Sequence, residues 1–222
     1  MKSVEKQTDD STEPAENLIS RYRFNCLTVH SASLHVQDES EVPTAIYYGK
    51  VSTDFAHALS APVMTIHSNV ARKLPEKQRT KILKVIFGEL NPYAKRLGVR
   101  LALENLSYAS SGYGKNVAEM EEILDAIDPD GVMGITIDFC HSLATGTTES
   151  LLEKYHSRLC NVHMSNRAHQ PFKQQTPNLV SFLKRLHEYQ YSGPLTMELR
   201  RKCTFEEIQR TKVVLEKLLL YC

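Results

Sequence analysis

The sequence predicts an α/β barrel, in which parallel strands joined by helical crossovers gather their carboxyl ends around one axis. Three observations lead there: short apolar runs recur along the chain, segments with helical spacing lie between them, and nearly every run ends in a histidine or a carboxylate. Alternation of strand and helix with short connections gives right-handed parallel units, closed as a barrel or open as a doubly wound sheet. The polar strand ends favour the barrel, because an open sheet gathers ligand groups only at a switch point between a few strands.

Taken in order, the runs are FNCLTVHS (Phe24 to Ser31), PVMTIHSN (Pro62 to Asn69), RLALENLS (Arg100 to Ser107), GITIDFCH (Gly134 to His141), LCNVHMSN (Leu159 to Asn166) and PLTMELR (Pro194 to Arg200). Each is short and partly β-branched, as a strand covered on both faces should be. Between them, KQRTKILKVIFGELNPYAKRLG, NVAEMEEILDAID, NLVSFLKRLHEYQ and TFEEIQRTKVVLEKLLLY carry helical spacing. Thr204 with Glu207 forms a capping-box pattern, and Leu97-Gly98 and Tyr191-Ser192-Gly193 read as helix stops. Residues 1–15 are polar and aperiodic and are expected to be a loose tail ahead of a single domain over residues 16–222.

Composition narrows the partners. The longest apolar runs fall well short of the roughly 18 residues a membrane span needs, and a net charge of +1 lacks the excess a nucleic-acid surface usually carries. The five cysteines show no CxxC spacing and no secretory segment ahead of them, so reduced thiols in a cytoplasm are expected.

The strand ends carry the chemistry: His30, His67, Glu104, Asp138 with His141, His163 and Glu198. A single histidine beside an apolar strand is most often structural, so the weight lies in the repetition. Carboxylates weigh more, since an unpaired buried one costs several kcal/mol and demands a cation, either a metal or an Arg or Lys side chain. Three carboxylates with His163 suit Mn²⁺, Mg²⁺ or Co²⁺, whereas adding His30, His67 and His141 tilts the set toward zinc or more than one ion.

The ordered series VMTIHSN, LALENL, ITIDFCH, CNVHMSN and PLTMEL resembles the xylose isomerase-like (β/α)8 superfamily, which includes sugar epimerases and isomerases, inosose dehydratase-like proteins and the endonuclease IV type of AP endonuclease family 2. The resemblance implies a TIM-type barrel lacking the first two of the usual eight strands, with the open edges covered by the N-terminal segment or by a second copy in a homo-oligomer. It further implies one divalent metal on Glu104, Asp138, His163 and Glu198, with Glu104 and Glu198 as the pair that removes and returns a proton next to a carbonyl. His67, His141 and Arg200 would bind substrate.

On this basis the expected activity is that of a metal-dependent isomerase or epimerase acting on a small sugar, sugar phosphate or polyol. The alternatives are a zinc-dependent phosphodiester hydrolase of the endonuclease IV type, with His30, His67, His141 and His169 as extra ligands, and a non-catalytic binding relative. Asn166 stands where the endonuclease branch carries an Asp, which counts against a full trinuclear site. The Ser110–Gly114 stretch after Glu104 is either a lid or an ordinary surface loop.

Overall fold

Each of the six apolar runs forms a strand. The structure is a computed structural model that describes residues 25–220 together with Asn17 and Arg21, and the predicted tail over residues 1–15 lies outside the described residues. The strands are β1 (Thr28–His30), β2 (Val63–Ile66), β3 (Arg100–Glu104), β4 (Gly134–Asp138), β5 (Leu159–Met164) and β6 (Leu195–Met197). All neighbours pair in parallel, in the order β1 to β6.

Seven α-helices follow among the described residues: α1 (Val42–Ala58), α2 (Glu76–Arg96), α3 (Val117–Ile127), α4 (Phe139–Thr145), α5 (Thr148–Tyr155), α6 (Pro177–Glu188) and α7 (Phe205–Leu219). The capping box forms at α7, where Thr204 accepts from the Glu207 N–H and the Glu207 carboxylate accepts from the Thr204 N–H. Gly98 at φ +71° follows the end of α2, whereas after α6 the left-handed residue is Gln190 at φ 55°, earlier than the expected stop at residues 191–193. The run Gly134 to His141 is strand only as far as Asp138, and His141 lies in α4. The cause is Asp138, whose carboxylate accepts from the His141 N–H at 2.6 Å and caps the first turn.

Alternate strand residues divide between two environments. Met64, Ile66, Leu101, Leu103, Ile135, Ile137, Val162 and Met164 are buried in one core with Ile86 and Leu90 of α2, Ile123 of α3 and Phe182 of α6. Fully burying such a side chain contributes about 1.5–3 kcal/mol, so this shell holds the fold. Close packing of α1 on α2 needs Gly49, where a Cβ would lie 2.6 Å from Leu90 Cδ1.

The other face carries Thr28, Thr65, Ala102, Thr136, Asn161 and Thr196, one from each strand. Five of these six are linked by hydrogen bonds across the barrel interior. Thr28 and Thr196 Oγ1 lie 3.3 Å apart, Thr196 donates to Asn161 Oδ1 at 2.9 Å, Asn161 Nδ2 donates to Thr65 Oγ1 at 3.2 Å, and Thr65 and Thr136 Oγ1 are 2.9 Å apart. No backbone ladder joins β1 to β6 among the described residues, yet the threonine contact brings the two edges together. The result is a nearly closed barrel with a polar floor.

Candidate metal centre

Two residues beyond the floor, each strand delivers the next side chain of the same face to the rim. His30 follows Thr28, His67 follows Thr65, Glu104 follows Ala102, Asp138 follows Thr136, His163 follows Asn161 and Glu198 follows Thr196. The period of two along a strand makes this a second layer directly above the first.

Glu104 is the hub. Its side chain is fully buried; His163 Nδ1 lies 2.8 Å from Oε1, and the Nε2 atoms of His30 and His67 lie 3.0 and 3.1 Å from Oε2. Glu198 Oε2 is 3.1 Å from the same His163 Nδ1, but that nitrogen's single hydrogen serves Glu104. Glu104, Asp138, His163 and Glu198 each present a ligand atom, all within 4.8 Å of one another. Asp138, His141 and His169 form a second such set, and His30, Glu104 and His163 a third.

Charge in this space is unbalanced. Burial would raise the Glu104 carboxyl, but the His67 and His163 rings hold it well below the usual carboxylate range. Burial and the Glu104 charge drive Asp138 up, while the His163 ring beside Glu198 outweighs burial and lowers that carboxyl. His163 is pushed up to about 10: burial disfavours its charge, but Glu104 and Glu198 override that penalty. Three buried or half-buried carboxyl groups thus face one another with only imidazole rings to offset their charge.

The residues fit a divalent ion on structural grounds. Asp138 Oδ2 and Glu198 Oε2 are buried and accept no hydrogen bond, a cost that a bound cation removes. One nitrogen and three carboxylates are the donor set expected of a hard to intermediate ion.

The histidines around the hub are oriented by backbone carbonyls. His30 Nδ1 donates to Ser31 O at 2.8 Å and His141 Nδ1 to Asn105 O at 2.9 Å, so each presents Nε2 inward. His141 Nε2 meets His169 Nε2 at 3.3 Å, and burial keeps the pKa of the His141 ring low. His67 Nδ1 is buried with no partner. His169 reaches the site through a turn in which Ala168 and His169 both adopt positive φ, 55° and 52°. The Arg200 N–H donates to His169 O, while its guanidinium turns to Glu207 at 3.9 Å, so the structure does not bring it to the ligand groups.

Asn105 belongs to this site and carries no role in the sequence reading. It is fully buried; its Oδ1 accepts from the Asp138 N–H at 2.9 Å and its Nδ2 donates to Asp138 O at 3.4 Å. A polar residue beside a strand-end carboxylate was the available signal. The Ser110–Gly114 loop is strapped down: Ser111 O accepts from the Arg72 N–H, and Glu119, paired with Arg72 at 2.7 Å, accepts from the N–H groups of Gly114 and Lys115. Cys26, Cys140, Cys160 and Cys203 are free thiols, and no described helix is long and apolar enough to cross a membrane.

Comparison with known proteins agrees with this architecture. A D-tagatose 3-epimerase-like protein superposes with TM-score 0.77 at 21% identity, over 93% of this chain and 81% of that one. The IOLI protein with a bound zinc atom gives 0.73 at 17%, over 94% and 82%, and an AP endonuclease, family 2, from Brucella melitensis gives 0.69 at 12%, over 93% and 82%. In sequence, a "Probable endonuclease 4" from Halothermothrix orenii is 34% identical over 61 residues, which is 28% of this chain and only 20% of that protein. The family model described as xylose isomerase-like TIM barrel matches residues 2–219, and the chain belongs to that family.

Proposed function

We propose that the protein is a metal-dependent isomerase or epimerase of a small sugar, sugar phosphate or polyol, moving a proton at the carbon next to a carbonyl. The observation that carries this reading is the convergence of Glu104, Asp138, His163 and Glu198, with two buried carboxylate oxygens left without hydrogen-bond partners. These four side chains would hold the ion. A divalent ion bound there would polarise the carbonyl and hydroxyl oxygens of a substrate and so acidify the intervening C–H.

The remaining work falls to the chain. Glu198, with its side chain 36% exposed, is the glutamate open to the rim and removes the proton; Glu104, delivered from β3, returns it. His67 and His141 would bind substrate oxygens, His67 through its unpartnered Nδ1 and His141 by exchanging His169 for substrate, and the floor closes the barrel beneath them. Arg200 would reach a phosphate or carboxylate by exchanging Glu207 for it. With the protein reconstituted with Mn²⁺ or Co²⁺ and a panel of ketoses, polyols and their phosphates, deuterium from D₂O is expected at one substrate carbon. Turnover that survives complete removal of metal would overturn the reading.

A second reading has its own observation: Asp138, His141 and His169 form a further possible ligand set. That supports a phosphodiester hydrolase with several zinc ions. Elemental analysis distinguishes them, one tightly held ion per chain for the first and two or three for the second.

A further inference from the structure

The floor of the barrel has a position that the site above it depends on. Glu198 lies one residue beyond β6, a strand of three residues at the edge of the sheet, held to β5 by the registered pairs Val162–Leu195, His163–Thr196 and Met164–Met197. On the far side of β6 there is no ladder to β1 among the described residues. Backbone pairing, extended by the Glu198 N–H donating to Met164 O at 3.3 Å, therefore fixes β6 along one edge only and leaves its other edge to side chains.

We propose that Thr196 and Asn161 are positioning residues for the metal centre, locking the loose edge of the barrel to its opposite wall by side-chain hydrogen bonds in place of backbone pairing. The inference rests on the metal-centre reading above.

The links run in both directions from β6. Thr196 gives its single hydrogen to Asn161 Oδ1 at 2.9 Å, so at the 3.3 Å contact with Thr28 it is the acceptor and Thr28 donates. That contact spans the seam. Asn161 passes the constraint onward through Nδ2 to Thr65 of β2, three strands away in the sheet but opposite across the interior, and Thr65 meets Thr136 of β4. Asn161, Thr65 and Thr136 are fully buried.

Apolar side chains of the same size would fill this layer without the desolvation that a buried amide and hydroxyls impose. What they would not supply is direction and distance. Each floor residue sits two positions below a rim group, so the chain Thr28–Thr196–Asn161–Thr65–Thr136 fixes the spacing beneath His30, Glu198, His163, His67 and Asp138. Groups that orient metal ligands from behind commonly change metal affinity by 10-fold to 100-fold when removed.

The test is Thr196→Val, which keeps the volume and removes both links, with Thr196→Ser as the conservative rescue and Thr28→Val as a milder cut at the seam alone. Three readouts are taken on the full chain: Co²⁺ affinity by chelator competition, the visible absorption of bound Co²⁺, and amide hydrogen exchange over residues 28–30 and 195–198. Thr196→Val is expected to bind Co²⁺ about tenfold more weakly with a changed absorption band. Its exchange should quicken at the two edges while β3 and β4 stay near wild type, and Thr196→Ser should restore all three. Thr28→Val should quicken exchange at the same two edges.

Wild-type Co²⁺ affinity and spectrum in Thr196→Val would overturn the proposal, as would exchange that quickens equally in all six strands. A wild-type protein that takes up no Co²⁺ defeats the metal reading instead. Exchange then decides the proposal alone: faster exchange confined to the two edges upholds it, and unchanged exchange overturns it.

Discussion

Along β2, β4 and β5 one face carries Thr65, Thr136 and Asn161 in a lower layer and, two residues later, His67, Asp138 and His163 in an upper one. The lower layer is polar and complete: each hydroxyl and the amide finds a partner within the chain. The upper layer is polar and incomplete, with Asp138 Oδ2, Glu198 Oε2 and His67 Nδ1 buried and unpartnered. The same strands and the same period thus produce one layer that closes on itself and one that waits for an outside group. Unmet polar demand, rather than polarity, marks the functional layer.

The sharpest way to break this contrast is at the upper layer. Glu198→Gln keeps the shape and deletes the charge, and is expected to weaken metal binding by more than ~100-fold in chelator competition, a larger loss than for an outer-layer change. Its effect on thermal stability without metal should be small, because Glu198 is the most exposed of the four proposed ligands.

Next in size is pH. His163 has a pKa of about 10 when folded against an ordinary 6.5, so its stabilising charge pairing is fully present below pH 6.5 and is lost as pH rises toward 10. The melting temperature of metal-free protein is therefore expected to fall across that window. Metal affinity should move the opposite way, because the ion must displace the His163 and Asp138 protons, and calorimetry in buffers of different ionisation enthalpy should count about two protons released per ion. A metal-free protein whose stability is flat from pH 6.5 to 10 would contradict the charge arrangement described for the upper layer.

Asn105→Ala should cost about 1–3 kcal/mol in denaturant unfolding, by stranding the buried Asp138 N–H, and should also loosen the metal about tenfold. Smallest at the site is Glu119→Ala, which cuts the strap under the Ser110–Gly114 loop. About 1 kcal/mol of stability should be lost, with metal affinity unchanged.

Much of this was legible in the sequence because the physics is local. A run such as GITID, apolar and β-branched up to its final carboxylate, announces both a buried strand and a group that needs a cation. Helix α1 was harder to read: Tyr47, Tyr48, Val51 and Phe55 lie on its exposed side, so the apolar residues do not trace a single stripe. His141 stands at the end of an apolar run, and its place in a helix is hidden because the capping role of Asp138 competes with the reading of that residue as a ligand. The floor went unread because threonine is ordinary in a strand, and only the register across the barrel shows that five side chains meet. Arg200 could be placed near the rim by sequence, but Glu207, seven residues on, decides where its guanidinium points.

Asp138 has two employments in one carboxylate, holding the first turn of a helix with one oxygen and offering the other, buried and unpartnered, to the proposed ion. A lineage of this family that abandoned catalysis would still be selected to retain an acid or amide there, merely to fold. Glu198 caps no described helix, so its survival or erosion among descendants is the truer record of whether the proposed chemistry was kept.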